Sequence, residues 1–426
     1  MPITVFEAIS GNIRSFLGGA EIDLVRLEGE ERDGAGRDGI RQVVHVEETG
    51  YLFTAQRPEL PFTRTEEVFC RELLTAFAAM FAGFQKEDYS AHFRTALLAS
   101  MMDITVARFL RGDNRKGFWP IQQLIQLLKN LSYQRYEGTP ATTGFIVHRT
   151  TQPELQELIG ERGHNLVALK PHQPISDDFF DNPLNFRFVD GNTLFFVANI
   201  LMQVSGVLMA GDFEKQNDVE RLTHRGVYSL VRSAGTGAFA IIVNAVSEIE
   251  VLINPDKLMV RRKGSWAIFD PDIIRSFLAG GLESEYIDDI LWTVYALSKL
   301  RHGTVVLIYD GTPEQLHELK KGSVGGNDPI GMLLISQVKG KSVGSLKKAG
   351  VLLRILSSDG MAVFSSEGNL LETGFIIDTS HAREVVIGGG RTTAASAASF
   401  FGKVIKVSQD GPIELYRDGK LIYRFG

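Results

Sequence analysis

The sequence is poor in the groups that mark secreted, membrane-spanning or strongly charged proteins. It holds one cysteine, Cys70, which excludes an intramolecular disulfide and any cysteine-based zinc cluster. It has no uninterrupted apolar run of about 18 residues or more, so no membrane span is expected. A basic and apolar leader pattern is also missing from the first residues. These absences predict a cytoplasmic protein with no membrane partner. Charge of one sign is scarce too: 45 Lys+Arg stand against 51 Asp+Glu, a net charge of -6. That balance implies no overall attraction to nucleic acid or anionic lipid, while leaving a local phosphate site open.

What is present is an ordinary globular composition, 44% hydrophobic and 23% charged over 426 residues. That length suits two or three domains. Residues 1 to 118 read as an α-rich N-terminal segment: a short sheet-forming lead, a Gly-rich acidic loop around Glu28 to Gly39, then two helices. Thr65 to Phe84 and Ala91 to Leu110 carry apolar residues at helical spacing, and Gly112 follows as a stop. Cys70 falls among Val68, Phe69, Leu73, Leu74 and Phe77 in the first of these helices, which predicts a buried thiol.

After this lead the chain repeats an order of elements. A helix from Leu124 to Tyr136, a strand Gly144 to His148 and the segment Thr151-Gln152-Pro153-Glu154 are followed later by a helix Ile290 to Leu300, a strand Val305 to Tyr309 and Gly311-Thr312-Pro313-Glu314. Thr151 and Glu154 have the spacing of a capping box. Asn185 to Met209 and Val351 to Ile377 both read as strand, Asp-Gly, strand, strand. Both copies close alike: Ala240 to Val243, Ile249-Glu250-Val251-Leu252 and Lys257-Leu258 mirror Val404 to Val407, Ile413-Glu414-Leu415-Tyr416 and Lys420-Leu421. The expected fold is α/β, with a mixed-sheet domain duplicated in tandem over 119–265 and 270–426. The boundary is expected near Arg261 to Pro271, where Arg261-Arg262-Lys263-Gly264-Ser265 has the composition of a linker.

The second copy carries the chemistry-bearing motifs. Leu297-Ser298-Lys299-Leu300-Arg301-His302-Gly303-Thr304-Val305 forms a helix-to-strand entry. Asp359-Gly360-Met361 precedes two apolar segments, and Val407-Ser408-Gln409-Asp410-Gly411 and Tyr416-Arg417-Asp418-Gly419-Lys420-Leu421 make a closing hairpin. In this order, over about residues 284 to 426, they resemble the nucleotide domain of the diadenylate cyclase family (DAC, DisA-type). The resemblance implies a fold that condenses two ATP molecules into cyclic di-AMP across a face-to-face pair of domains. It implies that Asp359, with Gly360 beside it, holds a divalent metal, Mg2+ or Mn2+, and assists the 3'-hydroxyl. By the residues alone, Asp-Gly between two apolar strands reads as a hairpin turn, the commonest use of that dipeptide.

The same family contacts phosphates with Arg-His-Arg at a helix start. This chain departs from that pattern, having Gly389-Gly390-Arg391 there, or Arg391-Thr392-Thr393 if one gap is allowed. The local sequence still suits an anion. Gly388-Gly389-Gly390 leads into a small-residue helix, Thr392 to Phe401, closed by Gly402, so free amides, the helix dipole and Arg391 converge. Gly389, Gly390, Arg391, Thr392 and Ser408 are therefore the expected nucleotide-binding residues. Their counterparts in the first copy are Asp190 and Gly191, with His224 and Arg225 before the helix Val227 to Ser233. His302, His317 and His381 lack metal-ligand spacing.

Two functions remain open at this point. One is a diadenylate cyclase, working as an intramolecular pseudo-dimer of the two copies or as a homodimer. The other is a catalytically degenerate sensor of a nucleotide or cyclic dinucleotide. In both, ATP or another adenine nucleotide is the expected partner.

Overall fold

The computed structural model describes residues 2–28, 34–36, 39–86, 91–112, 117–149, 155, 157, 165–210, 216–234, 237–253, 257–325, 328–380 and 388–426. The chain divides into two compact units. One comprises Met1–Arg57, Pro61–Gln216 and His224–Asp270; the other comprises Pro58–Leu60, Asn217–Thr223 and Pro271–Gly426. No helix among the described residues is long and apolar enough to cross a membrane.

The first unit opens with α1 (Pro2–Phe16) and an antiparallel sheet of β1 (Glu21–Arg26), β2 (Gly34–Gly36), β3 (Gly39–Val46) and β4 (Thr49–Gln56), in the order β1-β4-β3-β2. Alternate residues of β3 are buried, so one face of the sheet is apolar. Helices α2 (Arg64–Lys86) and α3 (Ala91–Arg111) follow. Gly112 ends α3 in the left-handed region, φ 64, where a residue without a side chain is favoured. Cys70 is buried on α2 as its spacing predicts; burial pushes its thiol well up, and Glu66 and Glu67 add to this. One core runs from Phe6 through Phe53, Phe69 and Ile121 to Trp266 and Ile268. Residues 1–118 thus share a core with the sheet that follows them.

That second sheet follows α4 (Trp119–Ser132) and a small ribbon of β5 (Arg135–Tyr136) and β6 (Thr139–Pro140). Its strands are β7 (Thr143–His148), β8 (Asn165–Pro174), β9 (Leu194–Asn199), β10 (Gln203–Met209), β11 (Phe239–Val243), β12 (Ile249–Ile253), β13 (Lys257–Arg262) and β14 (Ser265–Phe269). Between them lie α5 (Leu184–Arg187), α6 (Asp218–Leu222, which belongs to the second unit) and α7 (Arg225–Ser233).

The second unit contains α8 (Pro271–Leu278), α9 (Ser284–Leu300), α10 (Pro313–Glu318), α11 (Pro329–Val338), α12 (Val343–Lys348), α13 (Leu352–Ser357) and α14 (Gly390–Ala398). Its sheet is made of β15 (Thr304–Tyr309), β16 (Lys320–Ser323), β17 (Met361–Ser365), β18 (Leu370–Ile377), β19 (Gly402–Val407), β20 (Ile413–Arg417) and β21 (Lys420–Phe425).

Both large sheets are mixed, so the class is α/β as expected. Their strand orders run β8-β10-β9-β7-β11-β12-β13 and β16-β18-β17-β15-β19-β20-β21, with β14 as an added edge in the first. In each, the central strand (β7 or β15) is parallel to one neighbour (β9 or β17) and antiparallel to the other (β11 or β19). Every residue of β7 and β15 is buried, which explains why both read as unbroken apolar runs.

Three local expectations need correction. The segment from Val351, expected as a strand, is the helix α13, and α5 occupies the matching place before Asp190. Both Asp-Gly pairs therefore sit in helix-to-strand turns and not in hairpins. Arg261 to Ser265 is no linker: Lys263 and Gly264, at φ 48 and 89, turn β13 back into β14. The helix expected from Thr392 to Phe401 starts two residues earlier and ends at Ala398. Thr151 and Glu154 lie outside the described residues.

Each sheet buries one carboxylate at a matching strand position, Glu250 on β12 and Glu414 on β20. A buried carboxylate persists only when paired. Glu414 accepts from Lys406 Nζ (2.6 Å) and from the Tyr416 hydroxyl (2.8 Å). Glu250 lies 2.9 Å from His224 Nε2 and accepts from Asn244 Nδ2 (2.7 Å). Replacing Lys406 by Met leaves the Glu414 charge buried without its ammonium, which should cost about 3–5 kcal/mol. Urea unfolding should show this as a lowered midpoint, and an unchanged midpoint would mean that Lys406 is not the group that neutralises Glu414.

Candidate functional site

At one end of the second unit's sheet β15 and β17 begin and β19 ends, because Val305 stands opposite Met361 and Thr304 opposite Val407. The loops leading into or out of these strands, Arg301–Gly303, Ser358–Gly360 and Ser408–Gly411, are therefore neighbours. The start of α14 joins them through a contact between Arg391 Nη2 and Asp359 Oδ1 at 3.5 Å, which spans 32 residues of sequence.

Asp359 lies in the turn from α13 into β17. Its neighbour Gly360 has φ 85, and a methyl group there would come within 2.6 Å of the Gly374 backbone. Only glycine allows β18 to pass so close, and this fixes where Asp359 stands. The Asp359 side chain is 77% exposed and that of Arg391 36%. An exposed pair at this distance contributes no more than about 1 kcal/mol. Either group can exchange the other for a ligand at little cost.

Arg391 extends across Gly303. A methyl group on Gly303 would meet Arg391 Nη1 at 3.0 Å and Gln409 Cγ at 3.1 Å, so the guanidinium lies over the glycine beside Gln409. The end of α9 holds both walls. Arg301, left-handed at φ 59, donates to the Asp410 carbonyl, and the Ser298 hydroxyl donates to the Gly411 carbonyl. The Ser408 amide donates to Pro412 O and its carbonyl accepts from the Gly411 amide, both at 2.9 Å. Its hydroxyl makes no hydrogen bond among the described residues.

The α14 start offers backbone donors. Gly389, the capping residue, has no side chain to occupy them; its carbonyl takes the Thr392 and Thr393 amides at 2.9 and 3.2 Å. The amides ahead of these have no acceptor within the helix. A methyl group at Gly389 or Gly390 would meet nothing within 4 Å, so the loop borders open space through which an anion can approach. Gly389, Gly390, Arg391 and Thr392 thus share one helix start facing Asp359, with Ser408 one residue from Gln409. Gly303 and Gln409 were not expected as site residues. The signal for Gly303 was its place directly after a helix stop.

The corresponding end of the first unit differs. Asp190 Oδ1 accepts from the amides of Asn192 (2.9 Å), Thr193 (2.7 Å) and Leu194 (3.0 Å). It is the closure of a turn, and Gly191, φ 72, lets that turn lie against Thr143, whose carbonyl a methyl group would meet at 2.8 Å. His224, expected to supply positive charge before a helix, is instead buried against Glu250. Arg225 follows it as the first residue of α7, half-buried.

Among the described residues no group of three or more His, Cys, Asp or Glu is placed to hold a metal ion. His302 and His317 are exposed, and His381 lies outside the described residues. A cation at Asp359 would need its other oxygen ligands from elsewhere, as Mg2+ does when it rests on one or two carboxylates and substrate phosphates.

No protein-family model matches the chain, and no curated protein matches it. Among solved structures it is similar to a hypothetical membrane-spanning protein from Bacillus cereus, at 17% identity and a TM-score of 0.27, covering 36% of this chain and 70% of that one. It is also similar to a double mutant of DacA from Staphylococcus aureus, at 16% identity and a TM-score of 0.25, covering 34% of this chain and 89% of that one. Overlap at these scores does not establish a shared fold.

The geometry separates the two aspartates. Asp190→Ala should lower stability by about 1–2 kcal/mol, since three amides lose their acceptor, and Asp190→Asn should restore most of it. Thermal unfolding of both variants checks this. Equal melting of Asp190→Ala and the parent would remove the structural role.

Proposed function

We propose that the second unit binds an adenine nucleotide by its phosphates at the Asp359–Arg391 end, and that two such units, facing each other, condense two ATP into cyclic di-AMP. The observation that carries this reading is the weak, solvent-facing Asp359–Arg391 contact at an uncapped helix start. Arg391 and the leading α14 amides suit phosphate oxygens. Asp359, released from Arg391, would then face a Mg2+ or Mn2+ ion shared with those oxygens, and a single carboxylate fits that arrangement. When bound, the ion supplies positive charge that offsets the triphosphate.

In the reaction the 3'-hydroxyl of one ATP attacks the α-phosphorus of the other, the new P–O bond forms and pyrophosphate leaves. In this reading Asp359 would take the hydroxyl proton. The adenine preference rests on the family resemblance alone. Because Asp190 is committed to its turn and His224 to Glu250, the facing partner in this reading is the second unit of another copy of the chain.

One observation favours a second reading, a sensor that binds nucleotide or cyclic dinucleotide without turnover. Gly389-Gly390-Arg391 puts one cation where the resembled family has three. Each lost charge-assisted contact is worth about 1.5–3 kcal/mol.

Incubation with ATP and Mn2+ or Mg2+, followed by mass spectrometry for cyclic di-AMP, separates the readings. Formation is expected, with Asp359→Asn slowing it by about 100-fold or more while ATP still binds. Undiminished formation by Asp359→Asn would sink the proton-acceptor role, and binding without formation by the parent would select the sensor. Arg391→Ala should weaken ATP binding by about tenfold to a hundredfold, measured by calorimetry, with no change in melting temperature. Equal affinity of variant and parent would remove the phosphate site.

A further inference from the structure

The opposite end of the same sheet holds a cavity of about 550 Å3, at the carboxyl end of β15 and the beginning of β19. That size falls within the range of small-molecule pockets, roughly 300–1,000 Å3, and open α/β sheets bind ligands beyond the carboxyl ends of their strands. Nothing in the proposed nucleotide site uses it. Its apolar wall is formed by Phe400, 49% exposed, and by Phe401 and Tyr309. Two glycines shape this wall. A methyl group on Gly419 would meet the Phe400 ring at 2.4 Å, and one on Gly402 would meet the Ile308 carbonyl at 2.0 Å. The tip of the Phe400 ring therefore lies against Gly419, and the half-exposed ring borders the cavity.

Charge decides what the cavity takes. Three carboxylates line it, Asp310, Glu318 and Asp418, against two cations, Lys403 and Arg417. Both cations have partners. Lys403 Nζ donates to the Ala279 carbonyl at 2.6 Å, and Arg417 Nη1 donates to Glu59 Oε2 at 2.9 Å. The three carboxylates make no side-chain hydrogen bond or ion pair among the described residues. A second anion would have to displace Glu59 from Arg417 or Ala279 from Lys403. A cation displaces neither contact, and shares Asp310 with Lys403 and Arg417, whose charges already act on that carboxyl.

We propose that this cavity binds a small organic ammonium ion carried on a flat apolar body, its charge met by Asp310, Glu318 and Asp418 and its body by Phe400. An aromatic face beside carboxylates holds such a cation by both charge attraction and the ring quadrupole. Burial pushes the Asp310 carboxyl up from its ordinary range, while Lys403 and Arg417 pull it down.

The test uses the full chain and the probe tryptamine, an ammonium on a flat ring, with indole-3-propionate as the acid of similar shape. Calorimetry at low salt should show saturable 1:1 binding of tryptamine and none of the acid. Asp310→Asn should weaken tryptamine binding by about tenfold or more, and Phe400→Ala by about threefold or more. Asp359→Asn, at the other end of the sheet, should leave it unchanged. Equal or tighter binding of the acid would overturn the assignment, as would undiminished tryptamine binding by Asp310→Asn or no saturable binding by the parent. Melting temperatures equal to the parent's establish that the variants are folded. No arm depends on nucleotide, so failure here leaves the Asp359–Arg391 reading standing, and the reverse also holds.

Discussion

The parallel pairing of β15 with β17 is the constraint on which the candidate site depends. Parallel neighbours cannot be joined by a tight hairpin; the chain must cross back to the starting end before the second strand can begin. Residues 310 to 360 make that return, and α13 delivers Asp359 beside the loop that opens β15. On its other side β15 pairs with β19 in the antiparallel sense, so β19 leaves the sheet at this same end with Ser408 and Gln409. The helix α14, which precedes β19, must then start near Asp359 for the chain to enter β19 at Gly402. One choice of strand direction thus gathers residues from four separate stretches. The same choice in β7 and β9 brings Asp190 to the equivalent end of the first unit.

Burial then decides which of these positions can do chemistry. Glu250 and Glu414 stand at matching places in their sheets, and each requires a positive or hydrogen-bonding partner. The second unit supplies Lys406 from the adjacent strand, leaving the start of α14 free of that duty. The first unit uses His224, drawn from the start of α7, and so withdraws a cation from the place where a phosphate would sit. Asp190 is withdrawn as well, by three backbone amides. A carboxylate with its lone pairs committed is a structural element. Asp359 faces solvent with one loose arginine contact.

The central strands β7 and β15 were legible as unbroken apolar runs, because every residue of each is buried, and the long helices α2 and α9 by the helical spacing of their apolar residues. The sequence repeats an order of strands and Asp-Gly pairs, and seven strands of each large sheet follow corresponding orders. Short helices were misread. Leu352 to Ser357 covers less than two turns, too few residues for a period of 3.6 to differ from one of 2. The charge of Arg261 to Ser265 suggested a linker, yet Lys263 and Gly264 have the positive φ values of a tight hairpin, a use that composition does not distinguish. His224 was misplaced for a different reason. Its partner Glu250 lies on another strand, and no local pattern announces a pairing made across a sheet.

The two ends of β15 illustrate how one sheet can present different electrostatics. At the starting end, backbone amides and Arg391 face a lone exposed carboxylate, and the local donors exceed what the protein itself satisfies. At the finishing end, carboxylates exceed the cations still able to receive them, because Lys403 and Arg417 are already held by a carbonyl and by Glu59. The proposed readings put an anion at the first end and a cation at the second. Between them β15 is buried along its whole length and hydrogen-bonded on both sides, so it can transmit little change of shape. Coupling between the two ends would have to run through elements that touch both, and α14 is one: its first turn carries Arg391, and Phe400 follows its last turn.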